Sequence, residues 1–449
     1  MDWFPVRLDP VDSLSLLRRQ TLRERQRVEQ VKIKKQGAKV KLSWQILQDL
    51  EQKHGECFYL LDLNKFRENY TQFLDCFRAI YPNTNIGYSY KTNYIPKLCK
   101  SVFDLGGYAE VVSQMEYDLA IKIGVPPSRI IFNGPLKYTK DLERAVLAGS
   151  IVNLDSLQEV QIICELAQRL PEQQILVGLR CNFDIGTEAV SRFGLDVESG
   201  DLDYIFKRFA ELGNCAVRGL HCHFSTTQRS LESYALRTKK ILETSDRYFT
   251  ERAPEYIDVG GGYFGHMDDN LRQQFNFDIP TYQEYASTIA TQLSKRFDGD
   301  AQPQLIIEPG VALVANVMKF VGKVVALKTM RSRHLALVTG SIHTVKPSKQ
   351  LPLTVYKNEF DRDRIESNTP IDLVGYTCME HDCLYPEYPV PVSIGDYTVF
   401  DNVGAYSVVF KPPFIWPSPP IVSYESTQDV YTLARRQETT EDVFATYEI

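Results

Sequence analysis

The sequence lacks the features that mark several classes of protein. No apolar run among its 449 residues approaches the roughly 18 residues that a membrane-spanning helix needs, so no membrane association is expected. The nine cysteines are scattered and include no CxxC pair, which argues against a disulfide framework and a cysteine-rich zinc site. Its 51 basic residues are outnumbered by 57 acidic ones, which disfavours nucleic acid as a partner.

The N-terminal sequence bears on location in the cell. The first ten residues, MDWFPVRLDP, are typical neither of a secretory signal peptide nor of a transit peptide. Scattered cysteines without a pairing pattern are typical of proteins in a reducing compartment. We therefore expect a cytoplasmic protein.

From residue 57 the sequence alternates between short apolar β-rich runs and helix-like segments. Eight such runs follow residue 84, from 85–90 to 304–308. The spacing is typical of βα units with parallel strands, and eight is the number of strands in a closed (β/α)8 barrel. A doubly wound sheet would fit the alternation as well. After residue 318 short runs separated by polar turns predict a second, mostly β domain.

We expect three segments on this basis. Residues 1–55 form an N-terminal extension that packs partly with the β domain, residues 56–317 form the barrel, and residues 318–449 form the β domain. Within the extension, residues 14–35 predict a charged helix with a thin apolar stripe, packed on the next domain or on a partner subunit. Residues 427–437 predict an amphipathic helix near the C-terminus.

Polar residues follow many of the predicted strands. In a barrel these strand ends meet at one mouth, where function is found. Each such residue also has a purely structural explanation; a lysine after a strand, for example, is commonly a solvated strand end. The strand ends carry Lys91, Glu110, Asn133, Asp155, Arg180, His223, the glycines 260–262 and Glu308.

Four of these features suggest specific chemistry. Lys91 offers an amine able to form a Schiff base. We expect His221 and His223 to point to opposite faces of their strand, so that one is buried and the other can stack on a flat ligand at the mouth. Three consecutive glycines offer backbone N–H groups to a phosphate, or simply form a tight turn. Glu308 follows a very apolar strand and needs a cationic partner, such as a protonated pyridine nitrogen, or caps a turn.

A second polar cluster lies in the loop GYTCMEHDCLY at 375–385. Its residues are grouped in one short loop and lack the second half of a zinc site, so no metal is expected. The loop could instead offer a substrate the thiol of Cys378 as an acid and a recognition carboxylate, or it could be an ordinary polar loop.

In this order along the chain, these elements resemble the fold type III pyridoxal-phosphate decarboxylases, the ornithine/diaminopimelate decarboxylase family. The resemblance covers about residues 55–415. It implies a (β/α)8 barrel with a second, mostly β domain (the alanine racemase-like fold) and a carboxy-lyase that converts an amino acid to an amine and CO2. It rests on the motifs YLLDL, YSYK, AEVVS, FNGP, NLDS, SRFG, GLHCHF, DVGGGYFG, IIEPG, GYTCMEHD and GAYS.

The resemblance implies pyridoxal 5′-phosphate as the cofactor and a role for each site residue. Lys91 would bind the cofactor covalently and His223 would stack on its ring. Glu308 would keep the pyridine nitrogen protonated. The phosphate would be bound by Gly260, Gly261, Gly262 and Tyr406.

The loop residues acquire roles from the same resemblance. Cys378 would donate a proton to the product carbon in the active site of the partner subunit, which implies a homodimer with shared active sites. Glu380 and Asp382 would contact the small-molecule amino-acid substrate.

Two departures from the family pattern concern the substrate. Val311 stands where the family commonly has arginine after EPG, and Met379 stands where an acidic residue usually follows the cysteine. We therefore expect a diamino acid or a derivative from specialised biosynthesis, such as a siderophore or polyamine intermediate, and poor activity on ornithine, lysine and meso-diaminopimelate.

Three alternatives remain open at this point. The first is a diaminopimelate or ornithine/arginine decarboxylase proper. The second is an amino-acid racemase, although racemases use a tyrosine base on the second face of the cofactor and lack the HxH strand and the cysteine loop. The third is a non-catalytic decarboxylase homologue, although such relatives lose the lysine or the glycines that this chain keeps.

Overall fold

The computed structural model describes residues 42–186, 190–299, 302–345, 349–358, 369–411, 413–425 and 430–449. The helix expected at 14–35 lies outside these residues. In the described part of the chain, no helix has both the length and the apolar character needed to cross a membrane.

The strands form two sheets, and the helices lie mostly between successive barrel strands. The strands are β1 (Phe58–Asp62), β2 (Thr84–Ser89), β3 (Tyr108–Val111), β4 (Ile130–Phe132), β5 (Ile151–Leu154), β6 (Ile175–Asn182), β7 (Leu195–Asp196), β8 (Cys215–His221), β9 (Tyr256–Gly261), β10 (Gln304–Glu308), β11 (Met318–Met330), β12 (Arg333–Val338), β13 (Leu353–Tyr356), β14 (Ile371–Val374), β15 (Cys383–Tyr388), β16 (Tyr397–Phe400), β17 (Ile421–Glu425) and β18 (Val430–Arg435). The helices are α1 (Trp44–His54), α2 (Leu63–Arg78), α3 (Pro96–Asp104), α4 (Gln114–Lys122), α5 (Thr139–Leu147), α6 (Leu157–Arg169), α7 (Asp201–Leu212), α8 (Leu231–Tyr248), α9 (Asp269–Arg272), α10 (Tyr282–Arg296), α11 (Val311–Val314), α12 (Ile342–Val345) and α13 (Thr440–Phe444).

Eight parallel strands close into a barrel. In spatial order they are β2, β3, β4, β5, β6, β8, β9 and β10. The barrel closes where β10 pairs with β2, with Leu305 opposite Thr84. The closed pairing confirms the predicted (β/α)8 barrel and rules out the doubly wound sheet. All six residues of β2 are buried, as expected of a parallel strand covered on both faces.

Local sequence signals fix where the barrel helices begin. The hydroxyl of Ser156 accepts from the backbone N–H of Glu159 at the start of α6. Thr281 and Glu284 form a reciprocal capping box at the start of α10. Such caps satisfy backbone donors that have no partner within the helix.

A second, nine-stranded sheet confirms the mostly β domain. One path through it has the order β15, β14, β12, β11, β1, β17 and β18, and β16 joins β11 to β13. The 13-residue strand β11 pairs with β1, β12 and β16 along its length. It therefore joins the two parts of the sheet.

Two elements differ from the sequence-based expectation. We had placed residues 56–62 in the barrel, but β1 pairs with β11 and β17 of the second sheet. The first barrel strand therefore begins at residue 84, and the expected start of the barrel at residue 56 is corrected. We had also expected a helix at 427–437, but residues 430–435 form β18, antiparallel to β17. Cross-strand contacts decide this segment, including the rings of Tyr424 and Tyr431, whose centroids are 4.8 Å apart.

Helix α1 packs on the second sheet. Ser43 caps the helix by accepting from the backbone N–H of Ile46. Leu47 and Leu50 are buried in a small core. The other buried members of that core are Phe58, Leu60, Val321, Tyr397, Val399 and Val422. The wider expectation for residues 1–55 stays a prediction, since most of them lie outside the described chain.

We predict that Leu47→Ala lowers the free energy of unfolding by about 2–5 kcal/mol, because it removes a fully buried side chain and leaves a cavity. Gln52→Ala, at an exposed position of the same helix, serves as the matched control. Urea unfolding followed by circular dichroism measures both. Equal stability of the two variants would show that α1 does not contribute to the folded core.

Candidate active site

Lys91 lies at the mouth of the barrel. Strand β2 ends at Ser89, and a 3-10 turn at Tyr90–Thr92 carries the lysine. Its Nζ lies 2.5 Å from Oε2 of Glu110, at the end of the neighbouring strand. Burial alone would lower the pKa of Lys91, but Glu110 and Glu308 outweigh it and the pKa lies above its ordinary value. The amine is therefore protonated, and its charge is paired with Glu110.

Asn133 connects Glu110, the partner of Lys91, to Glu308. Its Nδ2 donates to Oε1 of Glu110 at 3.2 Å and to Oε1 of Glu308 at 2.6 Å. Its Oδ1 accepts from Asn153, whose own Oδ1 accepts from the hydroxyl of Tyr256 at 2.6 Å. These bonds run across the barrel interior and fix the position of both carboxylates.

Glu308 is ionised although it is buried. Burial alone would raise the pKa of Glu308, but His221, His223 and Lys91 outweigh it and hold that pKa well below its ordinary value. Asp258 has the opposite state, because burial and the charge of Glu308 raise its pKa well above the ordinary value. Glu308 thus keeps its negative charge, and Asp258 beside it is a neutral acid.

The two histidines correct an expectation. We expected His221 and His223 to point to opposite faces, but both reach Glu308, with ring nitrogens at 3.5 and 3.8 Å from its Oε2. The reason is the two-residue period of an extended chain, which puts residues i and i+2 on one face. Their ligand atoms and those of Glu308 lie within 4.8 Å of one another, so the absence of a metal stays a prediction.

The glycine turn at the end of β9, residues 260–262, packs against His223 and Glu308. Gly260 and Gly262 have φ of +70° and +97°, and a Cβ on Gly261 would lie 2.2 Å from the carbonyl oxygen of Glu308. The N–H of Gly260 donates to Asp258 and that of Gly261 to Nδ1 of His223. Burial lowers the pKa of His223 to about 4, so the ring is neutral and its Nε2 carries the proton.

A cleft opens at this mouth of the barrel, where a small molecule can bind. Lys91, His223, Gly262, Glu308 and Tyr406 all line it, as do Thr226, Arg229, Arg237 and Val311. The second domain supplies Tyr406, whose backbone N–H donates to the carbonyl of Thr92 next to the lysine.

The loop that carries Cys378 does not line this cleft among the described residues. Cys378 and Glu380 are exposed. Asp382 is only 3% exposed and accepts from the N–H of Ile342 and from the N–H and hydroxyl of Thr377. Both oxygens of Asp382 therefore hold the loop together, and the expectation that this residue contacts the substrate stays a prediction.

Comparison with known proteins places this geometry in a family. The family model for the pyridoxal binding domain of pyridoxal-dependent decarboxylases matches residues 63–315, more than half of the chain. The chain belongs to the pyridoxal-dependent decarboxylases. It is an amino-acid carboxy-lyase of fold type III, and its cofactor is pyridoxal 5′-phosphate.

Named relatives and solved structures agree with this family. The decarboxylase is 26% identical over 375 residues to diaminopimelate decarboxylase of Aquifex aeolicus, covering 80% of this chain and 84% of the relative. It is 25% identical over 414 residues to that of Methanocaldococcus jannaschii, covering 88% and 92%. The crystal structure of diaminopimelate decarboxylase from M. jannaschii in complex with L-lysine has the same fold, with a TM-score of 0.77, 24% identity, and coverage of 89% of this chain and 94% of the other.

The cleft of the decarboxylase fits its cofactor. An amine at Lys91 and an ionised carboxylate at Glu308 face the same space. The hydroxyl of Thr226 and Nε of Arg237 are buried there without a hydrogen-bond partner among the described atoms. Unsatisfied buried donors beside a glycine turn are what a bound phosphate would satisfy.

Sequence analysis missed part of the site. Glu110 and Asn133 were recognised as strand ends but given no role, although they bind Lys91 and Glu308. Asp258 and His221 were also left without one. The motif DVGGG signals Asp258, and the two-residue strand period signals that His221 shares a face with His223.

We predict that Glu308→Gln slows CO2 release by roughly a hundred-fold or more, because a neutral amide cannot pair with a protonated pyridine nitrogen. Glu172→Gln, at an exposed surface position, is the matched control. CO2 release is measured with the best available substrate, and circular dichroism verifies folding. Wild-type turnover in a folded Glu308→Gln enzyme would contradict this role.

Proposed function

We propose that this enzyme decarboxylates a diamino acid or a derivative of one, with Lys91 as the residue that binds pyridoxal phosphate. The observation that carries the site assignment is the hydrogen-bonded network from the partly exposed Lys91 through Glu110 and Asn133 to the buried Glu308. When bound, the cofactor supplies an electron-withdrawing ring that accepts the electron pair left as CO2 departs.

Glu110 holds Lys91 in place as a charged amine. Its Oε2 lies 2.5 Å from Nζ and helps to raise the pKa of Lys91. Asn133 keeps that carboxylate oriented by binding its other oxygen. The amine of Lys91 is a nucleophile only when neutral, so it must first lose a proton from this ion pair.

Glu308 holds a proton on the pyridine nitrogen. Its negative charge persists in spite of burial, because His221 and Lys91 lie close to it and Asn133 donates a hydrogen bond to it. A carboxylate held ionised at this point favours the protonated ring by charge pairing. The neutral ring of His223 is oriented by the N–H of Gly261 and is available to stack on the cofactor.

The groups around the glycine turn would hold the phosphate end of the cofactor. Gly260 and Gly261 already donate within the protein, so they shape the turn more than they bind the phosphate directly. Gly262, Thr226 and the hydroxyl of Tyr406 line the cleft and are the groups we assign to the phosphate.

Cys378 serves a second copy of the chain. It sits at the exposed tip of a loop that Asp382 braces, and it is outside the cleft of its own chain among the described residues. A homodimer with shared active sites would bring the thiol to the product carbon of the partner. The dimer and a cytoplasmic location both stay predictions.

The substrate proposal follows from the charges in the cleft. Among its described lining residues Glu308 is the one carboxylate, and it is buried beneath the site. The cleft therefore offers no acid from its own chain to a distal ammonium, while Arg229 lines it and can meet a distal carboxylate. A derivative that carries such a carboxylate and no distal ammonium fits best. Meso-diaminopimelate carries both groups at its distal end and is the second candidate, since the relatives named above are diaminopimelate decarboxylases.

We predict a catalytic efficiency below about 10⁴ M⁻¹s⁻¹ for ornithine, lysine and meso-diaminopimelate, and a higher one for a diamino-acid derivative such as a citrate conjugate. The reason is that an unpaired distal ammonium loses its hydration without gaining a partner. Steady-state CO2 release across a panel of L- and D-amino acids and conjugates measures this. An efficiency above that value for meso-diaminopimelate would favour the second candidate instead.

We predict that mixing Lys91→Ala with Cys378→Ala subunits restores about a quarter of wild-type activity, because half of the random dimers are hybrids with one intact site. Each variant alone serves as a control for the inactive state. Subunit exchange is verified by differently tagged chains. Inactive hybrids, once exchange is demonstrated, would place both residues in one protomer's site.

A further inference from the structure

Arg237 is a buried cation with neutral partners. It lies on α8 and is 1% exposed. Its Nη1 donates to the carbonyl of Gly261 at 3.5 Å, and its Nη2 donates to the carbonyl of Phe224 and the hydroxyl of Ser233, each at 3.2 Å. These acceptors belong to the glycine turn, to the loop after β8 and to the helix itself.

The charge of Arg237 is not compensated within the described chain. No ion pair to a carboxylate forms on it there, in contrast to the buried Arg180, which pairs with Asp155 at 2.9 Å. Its Nε is buried without a hydrogen-bond partner. The ring centroids of Tyr234 and Phe224 lie 4.0 and 5.9 Å from Cζ and stabilise the guanidinium, but neutral rings supply no counter-charge. A buried charge normally requires a counter-charge, so an anion from outside the chain is expected nearby.

The cleft offers a place for that anion. Arg237 lines it together with Gly262, Tyr406 and Thr226, whose buried hydroxyl also has no partner. Val311 lines the same cleft and brings no charge. Two of the three glycine N–H groups are occupied within the protein, so the turn alone provides few donors.

Arg229 differs from Arg237 although both line the cleft. Its side chain is only half-buried, its Nη1 donates to the carbonyl of Tyr263 at 3.3 Å, and its guanidinium stacks on Phe264. Solvent can therefore screen its charge, and no internal anion is needed. Of these two arginines, Arg237 is therefore the one that requires a buried counter-charge.

We propose that Arg237 is the positioning cation for the cofactor phosphate: it holds the carbonyls of Gly261 and Phe224 so that the turn and the loop frame the phosphate, and it balances the phosphate charge. Thr226 donates its hydroxyl to the same group. This inference rests on the proposed placement of the cofactor at Lys91, with its phosphate by Gly262.

The test compares pyridoxal phosphate with pyridoxal, which lacks the phosphate. Equilibrium titration of the full-length apoenzyme, followed by absorbance, gives a Kd for each ligand. We predict that Arg237→Gln weakens pyridoxal phosphate binding by roughly ten- to a hundred-fold, as expected for a hydrogen-bonded charge, and leaves pyridoxal binding nearly unchanged. We expect Arg237→Lys to restore part of the preference for pyridoxal phosphate over pyridoxal, because it keeps the positive charge.

Two further variants separate the effect of the positive charge from the effect of the contacts that hold the glycine turn in place. Tyr234→Phe removes the hydroxyl that donates to the Gly261 carbonyl at 2.9 Å and keeps all charges, so it has the smaller effect on the ratio of the two affinities. Arg229→Gln removes a positive charge from the same cleft and leaves that ratio unchanged. An equal loss for both ligands in Arg237→Gln, or a selective loss in Arg229→Gln instead, would overturn the proposal.

A measurement on the wild-type holoenzyme applies even where Arg237→Gln does not fold. A phosphate beside a buried guanidinium stays dianionic. Its ³¹P chemical shift is therefore expected to stay constant as the pH passes through ~6, the second pKa of a free phosphate ester. Titration of that resonance near ~6 would refute the proposal. Failure to trap the cofactor on Lys91 by borohydride would instead refute the proposed site, whereas trapping on Lys91 with an unchanged affinity ratio in Arg237→Gln would refute only this inference.

Discussion

The active site depends on a single ionised carboxylate kept inside a barrel. Glu308 is buried, and its charge persists because His221 and Lys91 lie close to it and Asn133 donates to it. Removal of any one of these groups would shift the balance toward a neutral acid, since desolvation opposes the charge. Asp258 shows the opposite result of the same physics, because its burial next to Glu308 favours the protonated form.

Close backbone contacts make this arrangement rigid. Gly261 must be glycine because a side chain there would meet the carbonyl of Glu308, and Gly178 leaves room for the hydroxyl of Tyr256 and for Asn153. Those two side chains begin the hydrogen-bonded series that ends at Glu308. The interior of the barrel thus positions the polar groups at its mouth, and the glycines allow that packing.

The second domain completes the mouth of the barrel. Gly404 approaches the carbonyl of Val314 so closely that a Cβ would lie 1.7 Å from it, and its own carbonyl accepts from Asn93. These contacts bring Tyr406 to Thr92, beside the lysine. The same domain carries the exposed loop of Cys378, with Asp382 as its internal brace. One domain therefore serves its own cleft through Tyr406 and presents a thiol away from that cleft.

Much of this protein could be predicted from its sequence, because the determining signals are local. Alternating apolar runs predict eight βα units, and the ordered motifs around Lys91, the glycines and Glu308 predict a family and its cofactor. Tertiary structure alone decided which strands pair and which charges meet. Strand β1 joins the second sheet, residues 430–435 become a strand beside β17, and Asp382 turns inward. Glu110, Asn133 and Arg237 lie far apart in sequence from the groups they serve, and burial, which sets their charge and their need for partners, exists only in the folded chain.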